Sequence, residues 1–454
     1  MKILFLLLFL PLGLVAQQVA KKDVLKAKRI TSNAITLFNE GQSSNAYMLL
    51  KQAVAIDSSN ANAYYWLATT EFDLRSYHYA KEHSQKSLAL QGSESSTDQL
   101  YLAAQIDLAL NDIQGAKGHI EKAKAKIKSE KDFKLLGFEE LRLQCEFVLV
   151  ALEKGQTNER QLLGDQLNTN YDEYSPILSA DGHTLYYTTR NPDAKGANLN
   201  PDDQRFFEDI NHFEWDTQTN VWTLAPKAIE GINTEGFDAL NYISRDGKYA
   251  LGTINTSASK EKTTKSSEIF EVSSDEAFLF EKVVVLKNKN INTSYFDGSA
   301  SISDTIFSEN GDFSQFLYFV SDRKAEESMT DIYCIEKKNG VWMEMKPLLK
   351  TINTDGRETT PFITPNGRFL FFSSDALPGM GGYDVYYSEN VNGVWGNPVN
   401  LGATFNSVND DTHFQIYPWL KKAVIARINE NEGLFNYDIF QIDLNDLDFP
   451  FLKD

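Results

Sequence analysis

Thr359-Thr360-Pro361-Phe362-Ile363-Thr364-Pro365-Asn366-Gly367-Arg368-Phe369-Leu370-Phe371-Phe372-Ser373-Ser374 reads as two short apolar runs joined by a tight turn. Asn-Gly between such runs signals a hairpin, because a type I′ turn needs positive φ at both central residues. Gly382-Tyr383-Asp384-Val385-Tyr386-Tyr387 follows as a third strand, and Trp395 to Leu401 as a fourth. The pattern occurs five times, at spacings of roughly 53 to 65 residues. Each copy opens at Asn168-Thr169, Asn233-Thr234, Asn292-Thr293, Asn353-Thr354 or Asn406-Ser407. Each third strand carries an acid before Ile or Val: Asp209-Ile210, Glu268-Ile269, Asp331-Ile332, Asp384-Val385 and Asp438-Ile439. Asp181-Gly182, Asp246-Gly247 and Asn310-Gly311 mark the hairpin turn in three other copies, and Trp222, Trp342 and Trp395 mark outer strands. Four-strand units at a regular period are blades of a β-propeller, and residues 160–450 are predicted to form five of them.

The fifth copy has strands at Thr412–Tyr417, Lys422–Arg427 and Asn436–Ile442 but lacks an outer strand. Residues 161–169, Gln-Leu-Leu-Gly-Asp-Gln-Leu-Asn-Thr, resemble 399–407, Val-Asn-Leu-Gly-Ala-Thr-Phe-Asn-Ser. The segment before the first blade is therefore expected to supply that strand. Closing the ring removes a sheet edge that would otherwise pair with other chains. The polar stretches 193–207 and 257–266 read as loops between second and third strands.

Residues 21–155 contain no proline and almost no strand pattern. Ala46, Ala80 and Ala116 stand 34 and 36 residues apart, each within helical apolar spacing. The pattern resembles tetratricopeptide repeats, paired helices with a 34-residue unit. A final helix is expected over Asp132–Glu153. The resemblance implies a concave groove lined by the first helix of each pair, which assigns Tyr65, Thr69, Asp73, Tyr101, Gln105 and Leu108 to a partner-binding surface for an extended peptide.

Residues 1–16 read as a secretory signal: Lys2, an apolar run from Ile3 to Leu10, and a small residue, Ala16, at the expected cut. The next residue is not Cys, so lipid attachment at a new N-terminus is not expected. No later stretch reaches the roughly 18 apolar residues of a membrane helix. The net charge is −19 and concentrates in the second half, since residues 21–155 carry 18 basic and 17 acidic side chains. Such a surface repels phosphate and argues against nucleic acid. Cys145 and Cys334 fall in different predicted domains and read as two separate thiols.

Ser175-Pro176-Ile177-Leu178-Ser179-Ala180-Asp181-Gly182-His183-Thr184-Leu185-Tyr186-Tyr187 resembles the WD40-like "PD40" repeat of the Tol-system propeller. Gly379-Met380-Gly381-Gly382-Tyr383-Asp384-Val385-Tyr386 is similar to one subgroup of it, exported envelope proteins of Bacteroidota. In these, tetratricopeptide repeats precede a PD40 propeller and often an OmpA-like peptidoglycan-binding domain. The resemblance covers about residues 24–445. It implies a periplasmic scaffold, peripheral to the outer membrane, of the kind that serves type IX secretion and gliding assemblies. The OmpA-like domain of that family is not legible as far as Asp454.

Catalytic chemistry is thinly represented. The six histidines show no paired metal spacing, and neither a Gly-x-Ser-x-Gly elbow nor a phosphate-cradling loop occurs. Asp202-Asp203 and Asp410-Asp411 are the visible acid pairs that a glycosidase could use. Asn409-Asp410-Asp411 could hold calcium but lacks the alternating ligands of an EF-hand loop. The five acids before Ile/Val read as a contact repeated by the fold, with Arg190, Arg323 or nearby hydroxyls as partners. No cofactor is expected. The reading is a non-catalytic adaptor for envelope proteins or peptide segments. Its alternative is a glycan or peptidoglycan-fragment module using Tyr383, Trp395 and Trp419.

Overall fold

The computed structural model describes residues 20–453 except 154–159, 194, 196–198, 201–202, 226–230, 258–265, 279, 281 and 325–328. The expected signal, residues 1–16, lies outside the described residues, as do Asp202 and parts of both polar stretches. Among those described, three helical hairpins come first: α1 (Lys21–Asn39) with α2 (Ser43–Ile56), α3 (Ala61–Asp73) with α4 (Tyr77–Gln91), and α5 (Thr97–Ala109) with α6 (Ile113–Lys126). Ala34, Ala68 and Ala104 on the first helices and Ala46, Ala80 and Ala116 on the second are completely buried. Small side chains let each pair approach closely, and larger residues such as Leu50, Leu67 and Ile106 fill the rest. The hairpin turns carry Gly41, Arg75 and Asn111 in the left-handed region, at φ of 80°, 59° and 57°. The repeat's glycine position is thus kept in conformation but occupied twice by other residues.

The expected single helix over 132–153 is two, α7 (Glu130–Leu135) and α8 (Phe138–Glu153). Gly137, at φ 79°, ends the first in a left-handed turn. The Tyr101 ring lies so close that a Cβ at residue 137 would come within 2.9 Å of its hydroxyl.

Five antiparallel blades follow. Their inner, second and third strands are Glu173–Leu178, Thr184–Thr189 and Asp209–Asp216; Phe237–Ile243, Tyr249–Asn255 and Glu268–Ser273; Asp297–Ile302, Phe313–Ser321 and Asp331–Lys338; Glu358–Ile363, Phe369–Ser374 and Asp384–Val391; and Asp411–Tyr417, Lys422–Asn431 and Leu434–Asp443. Outer strands are short, Val221–Leu224 in blade one and two-residue pieces in blades two to four. Blade five takes its outer strand from Arg160–Leu162, which pairs Arg160 with Ile442, Gln161 with Gln441 and Leu162 with Phe440. The ring closes as the 161–169 similarity predicts. Aromatic side chains pack between blades: Phe369, Phe371 and Phe372 are essentially excluded from water, each contributing about 1.5–3 kcal/mol by burial.

The recurring Asn-Thr has a single structural cause. In every copy the Asn side chain clamps the third-strand Ile or Val, its Oδ1 accepting from the backbone N–H and its Nδ2 donating to the carbonyl. The pairs are Asn168–Ile439, Asn233–Ile210, Asn292–Ile269, Asn353–Ile332 and Asn406–Val385. The Thr or Ser after it gives its backbone N–H and hydroxyl to a carboxylate four residues on. Those acids are Glu173, Asp238, Asp297, Glu358 and Asp411, each opening an inner strand. Each Asn-Thr therefore ties one blade to the next.

The helices meet the propeller by the edge that carries their turns. Arg75 in the α3–α4 turn reaches Asp172 at 2.8 Å and stacks 4.7 Å from the Tyr437 ring centre. Asp172 also takes Arg205 at 2.6 Å and the Tyr437 N–H. Tyr77 packs on Phe435 at 4.6 Å, and His78 meets Glu430. Further along, Met380 of blade four inserts among Cys145, Val148 and Ala116, and Gln144 donates to the Met380 and Gly381 carbonyls at 2.9 and 3.1 Å. The glycine-rich stretch 379–382 is thus a docking loop. A Cβ at Gly381 would lie 2.0 Å from the Asn409 carbonyl oxygen.

Candidate functional site

Docking by the turn edge leaves the concave face of the helices open. Tyr65 and Thr69 of α3 and Tyr101 and Gln105 of α5 stand one turn apart on the same face of each helix. With Asp98, Leu102, Leu136 and Phe138 they line a hollow of about 260 Å³. Tyr101 and Phe138 meet edge to face at 5.3 Å, which fixes the floor. The Thr69 hydroxyl bonds back to the Tyr65 carbonyl at 2.9 Å. Leu135 and Leu136 stand at the α7–α8 link, 79% and 42% exposed, an apolar rim facing water. Burial, with the Asp98 charge for Tyr65 and the Glu140 charge for Tyr101, raises both phenol pKa values, so both hydroxyls remain protonated donors.

Two residues assigned to the groove stand elsewhere. Leu108 is 2% exposed although it shares a helix face with Tyr101, because Ile113 and Ile120 of α6 and Phe133 of α7 pack over the end of α5. Asp73 is exposed at the end of α3 and accepts from Ser43 Oγ at 2.5 Å, tying two hairpins together. Asp98 joins the groove without a sequence assignment, and Leu136 and Phe138, expected as apolar positions of the final helix, line the groove instead. Asp98 lies one turn before Tyr101 and was legible by spacing, whereas the leucine and phenylalanine arrive through the Gly137 break.

The five acids before Ile/Val do not share one contact. Asp209 accepts the Lys195 N–H, Asp384 accepts from Met380, Gly381 and Asn400, Asp438 accepts from Asn429, and Glu268 is exposed. Arg190 pairs with Asp203, and Arg323 with Asp297, rather than with these acids. Four of them, Asp209, Asp331, Asp384 and Asp438, have an inner-strand acid as neighbour across the blade seam. Desolvation pushes the carboxyls up: Glu173 to about 8, Asp238 and Asp384 to about 7, Asp209 and Asp438 to about 6. Like charge across the seam adds to this for Glu173 with Asp438, Asp238 with Asp209, and Asp384 with Asp411. Arg427, buried against Asp411, supplies the counter-charge at one seam. Of the inner acids only Asp411 is named from the sequence, as half of an acid pair, although each stands five residues after its Asn.

Two small hollows lie near the propeller centre. One hollow of about 20 Å³ is ringed by Ser175, Asn241, Ser299, Thr360 and His413, one residue from each inner strand. Four of them sit at inner-strand bulges with φ between 48° and 53°. Another, of about 40 Å³, opens among the hairpin turns near Arg245 and Trp419, with Asp304 its single carboxylate. Of the acid pairs read from the sequence, Asp203 and Asp411 are held by arginines, and Asp410 accepts from the Tyr383 N–H and the Tyr437 hydroxyl. Tyr383, Trp395 and Trp419 are not brought together. Tyr383 abuts the docking loop, Trp395 packs on Tyr318 at 5.9 Å between blades, and Trp419 lies among the hairpin turns with Arg245 stacked 4.6 Å above it. Among the described residues no three His, Cys, Asp or Glu side chains form a metal-holding group, and no helix is long and apolar enough to cross a membrane. Cys145 and Cys334 are free thiols.

No protein-family model and no curated protein sequence matches this chain. Among solved structures, the helical part is similar to the Yersinia enterocolitica type III secretion chaperone SycD in complex with a peptide of the translocator YopD. That match has 13% identity over 28% of this chain and 96% of the other, with a TM-score of 0.25. The propeller is similar to a thermostable family-43 glycoside hydrolase, at 12% identity over 59% of this chain and 93% of the other, TM-score 0.36. It is also similar to a Penicillium chrysogenum α-L-arabinanase complexed with arabinobiose, at 9% identity over 64% and 99%, TM-score 0.34. Likenesses this distant carry neither substrate nor partner over to this chain.

Proposed function

We propose that this chain is a non-catalytic adaptor that holds a segment of a partner protein in the helical groove and uses the propeller as its rigid base. The observation that carries this reading is the open hollow at Tyr65, Thr69, Tyr101 and Gln105, left free because the propeller docks on the turns instead. An extended peptide would lay apolar side chains against Tyr101, Leu136 and Phe138 and bond its backbone to Gln105 and the phenol hydroxyls. The two hollows near the propeller centre, about 20 and 40 Å³ with Asp304 their single carboxylate, favour a structural part, since glycosidic cleavage needs two carboxyl groups flanking a substrate-sized opening. The leader-like residues 1–16 and the PD40-like phrases favour a periplasmic setting in an envelope assembly, of which type IX secretion and gliding machineries are the specific candidates.

Affinity capture from gently crosslinked cells, comparing wild type with the Tyr65→Ala/Tyr101→Ala variant, tests this. Discrete envelope proteins retained by wild type and lost with the variant support the groove. Equal retention by both, or retention of purified sacculi with no protein partner, overturns it in favour of a propeller face.

A further inference from the structure

The helical groove has a chemical bias that its shape alone does not convey. Its lining includes one charged residue, Asp98, and no Lys or Arg. Among the described residues Asp98 makes no ion pair or hydrogen bond, and neither does the side chain of Gln105. Several other acids of the helices have a cationic partner: Asp107 and Asp112 share Lys81, Glu71 holds His83, and Glu139 and Glu146 flank Arg142. The second phenol of the groove, Tyr101, also lies in the field of an acid, Glu140. Aromatic faces of Tyr65 and Tyr101 are themselves negative and favour a cation close by. Beside them stand the apolar Leu102, Leu136 and Phe138.

We infer that the groove selects an extended partner segment in which a Lys or Arg neighbours a bulky apolar residue, the cation meeting Asp98 and the apolar side chain seating against Tyr101, Leu136 and Phe138. This rests on the groove being the partner site at all. An acidic segment would bring like charge to the unpaired Asp98 carboxylate, so the preference acts by exclusion as well as attraction.

Three fluorescein-labelled ten-residue peptides, alternating Leu with Lys, with Gln or with Glu, test it by fluorescence anisotropy on the full-length protein. The Lys peptide is expected to bind at least about tenfold more tightly than the Glu peptide, with the Gln peptide between. Asp98→Asn should reduce that ratio several-fold while leaving the Gln peptide unchanged. Tyr65→Ala/Tyr101→Ala should weaken all three. Glu309→Gln, an exposed acid far away on blade three, is the control for overall charge. If it lowers Lys-peptide binding as much as Asp98→Asn does, the preference belongs to the net charge and the inference fails. Equal affinity for all three peptides with loss on Tyr65→Ala/Tyr101→Ala keeps the groove but overturns its selectivity. No binding by any peptide overturns both the selectivity and the peptide groove.

Discussion

The two halves of this molecule use their polar residues in opposite ways. In the propeller the repeated polar groups are consumed internally: five Asn clamps bonded to the preceding blade, and five inner acids bonded to the Thr or Ser beside each clamp. In the helical half the repeated residues are small and buried, while Gln105 and Asp98, which do not repeat, face an open hollow without partners. Regular recurrence therefore marks what the fold needs, and departures from it mark what the fold leaves available. The unrepeated Arg75, set in a left-handed position that Gly41 fills in the first hairpin, is a second example, because it docks the domains.

The contrast is broken most severely where a propeller residue loses its partner in the interior. Arg427→Ala should destabilise by about 3–5 kcal/mol, because Asp411 is left charged and unpaired. Chemical denaturation measures this, and adding Asp411→Asn should recover part of the loss. Asn353→Ala should cost about 2–4 kcal/mol, since the buried N–H and carbonyl of Ile332 lose their bonds. Groove substitutions such as Gln105→Ala should stay within about 0.5 kcal/mol in the same assay. An equal loss at both sites would erase the distinction between the halves.

Acidity sharpens it further. Glu173, Asp238 and Asp384 titrate near 7 to 8 in the fold and near 4 when unfolded. Between those values the native state retains protons that the unfolded chain has released, so stability should fall as pH rises from about 4 to about 8. Each such acid adds about 1.4 kcal/mol per pH unit while it is protonated in one state only. Melting temperatures across that range should decline, and Asp238→Asn should flatten the decline. Asp172 acts oppositely: burial disfavours its charge, but Arg75 and Arg205 hold it below the usual carboxylate range. Its contribution is therefore lost below about pH 4, which opens the docking seam before the blades.

Arg75→Gly is the mildest test. It relieves a left-handed residue at about 1 kcal/mol while removing the Asp172 bridge and the Tyr437 stack, so net stability should change little. Hydrogen exchange at the Tyr437 amide, which donates to Asp172, should nonetheless accelerate. Unchanged exchange would show that the other contacts, those of Tyr77, His78, Gln144 and Met380, hold the seam without Arg75.

Both architectures were legible in the chain because they are periodic. Alternating apolar runs with Asn-Gly turns specify hairpins, alanines every 34 to 36 residues specify crossing helices, and the 161–169 similarity specifies the closing strand. Tyr65, Thr69, Tyr101 and Gln105 came from the tetratricopeptide resemblance, and the fold brings them to one hollow. What periodicity cannot carry came from tertiary packing. The Gly137 break that swings Leu136 and Phe138 into the groove depends on the Tyr101 ring above it. The seam acids acquire their proton affinity first from burial and then from an acid of a neighbouring blade, as Asp238 does beside Asp209. The docking loop at 379–382 is defined by a helix more than 200 residues earlier. Spacing along a chain encodes local geometry, whereas burial, charge neighbours and the open face of a groove exist only once distant segments have met.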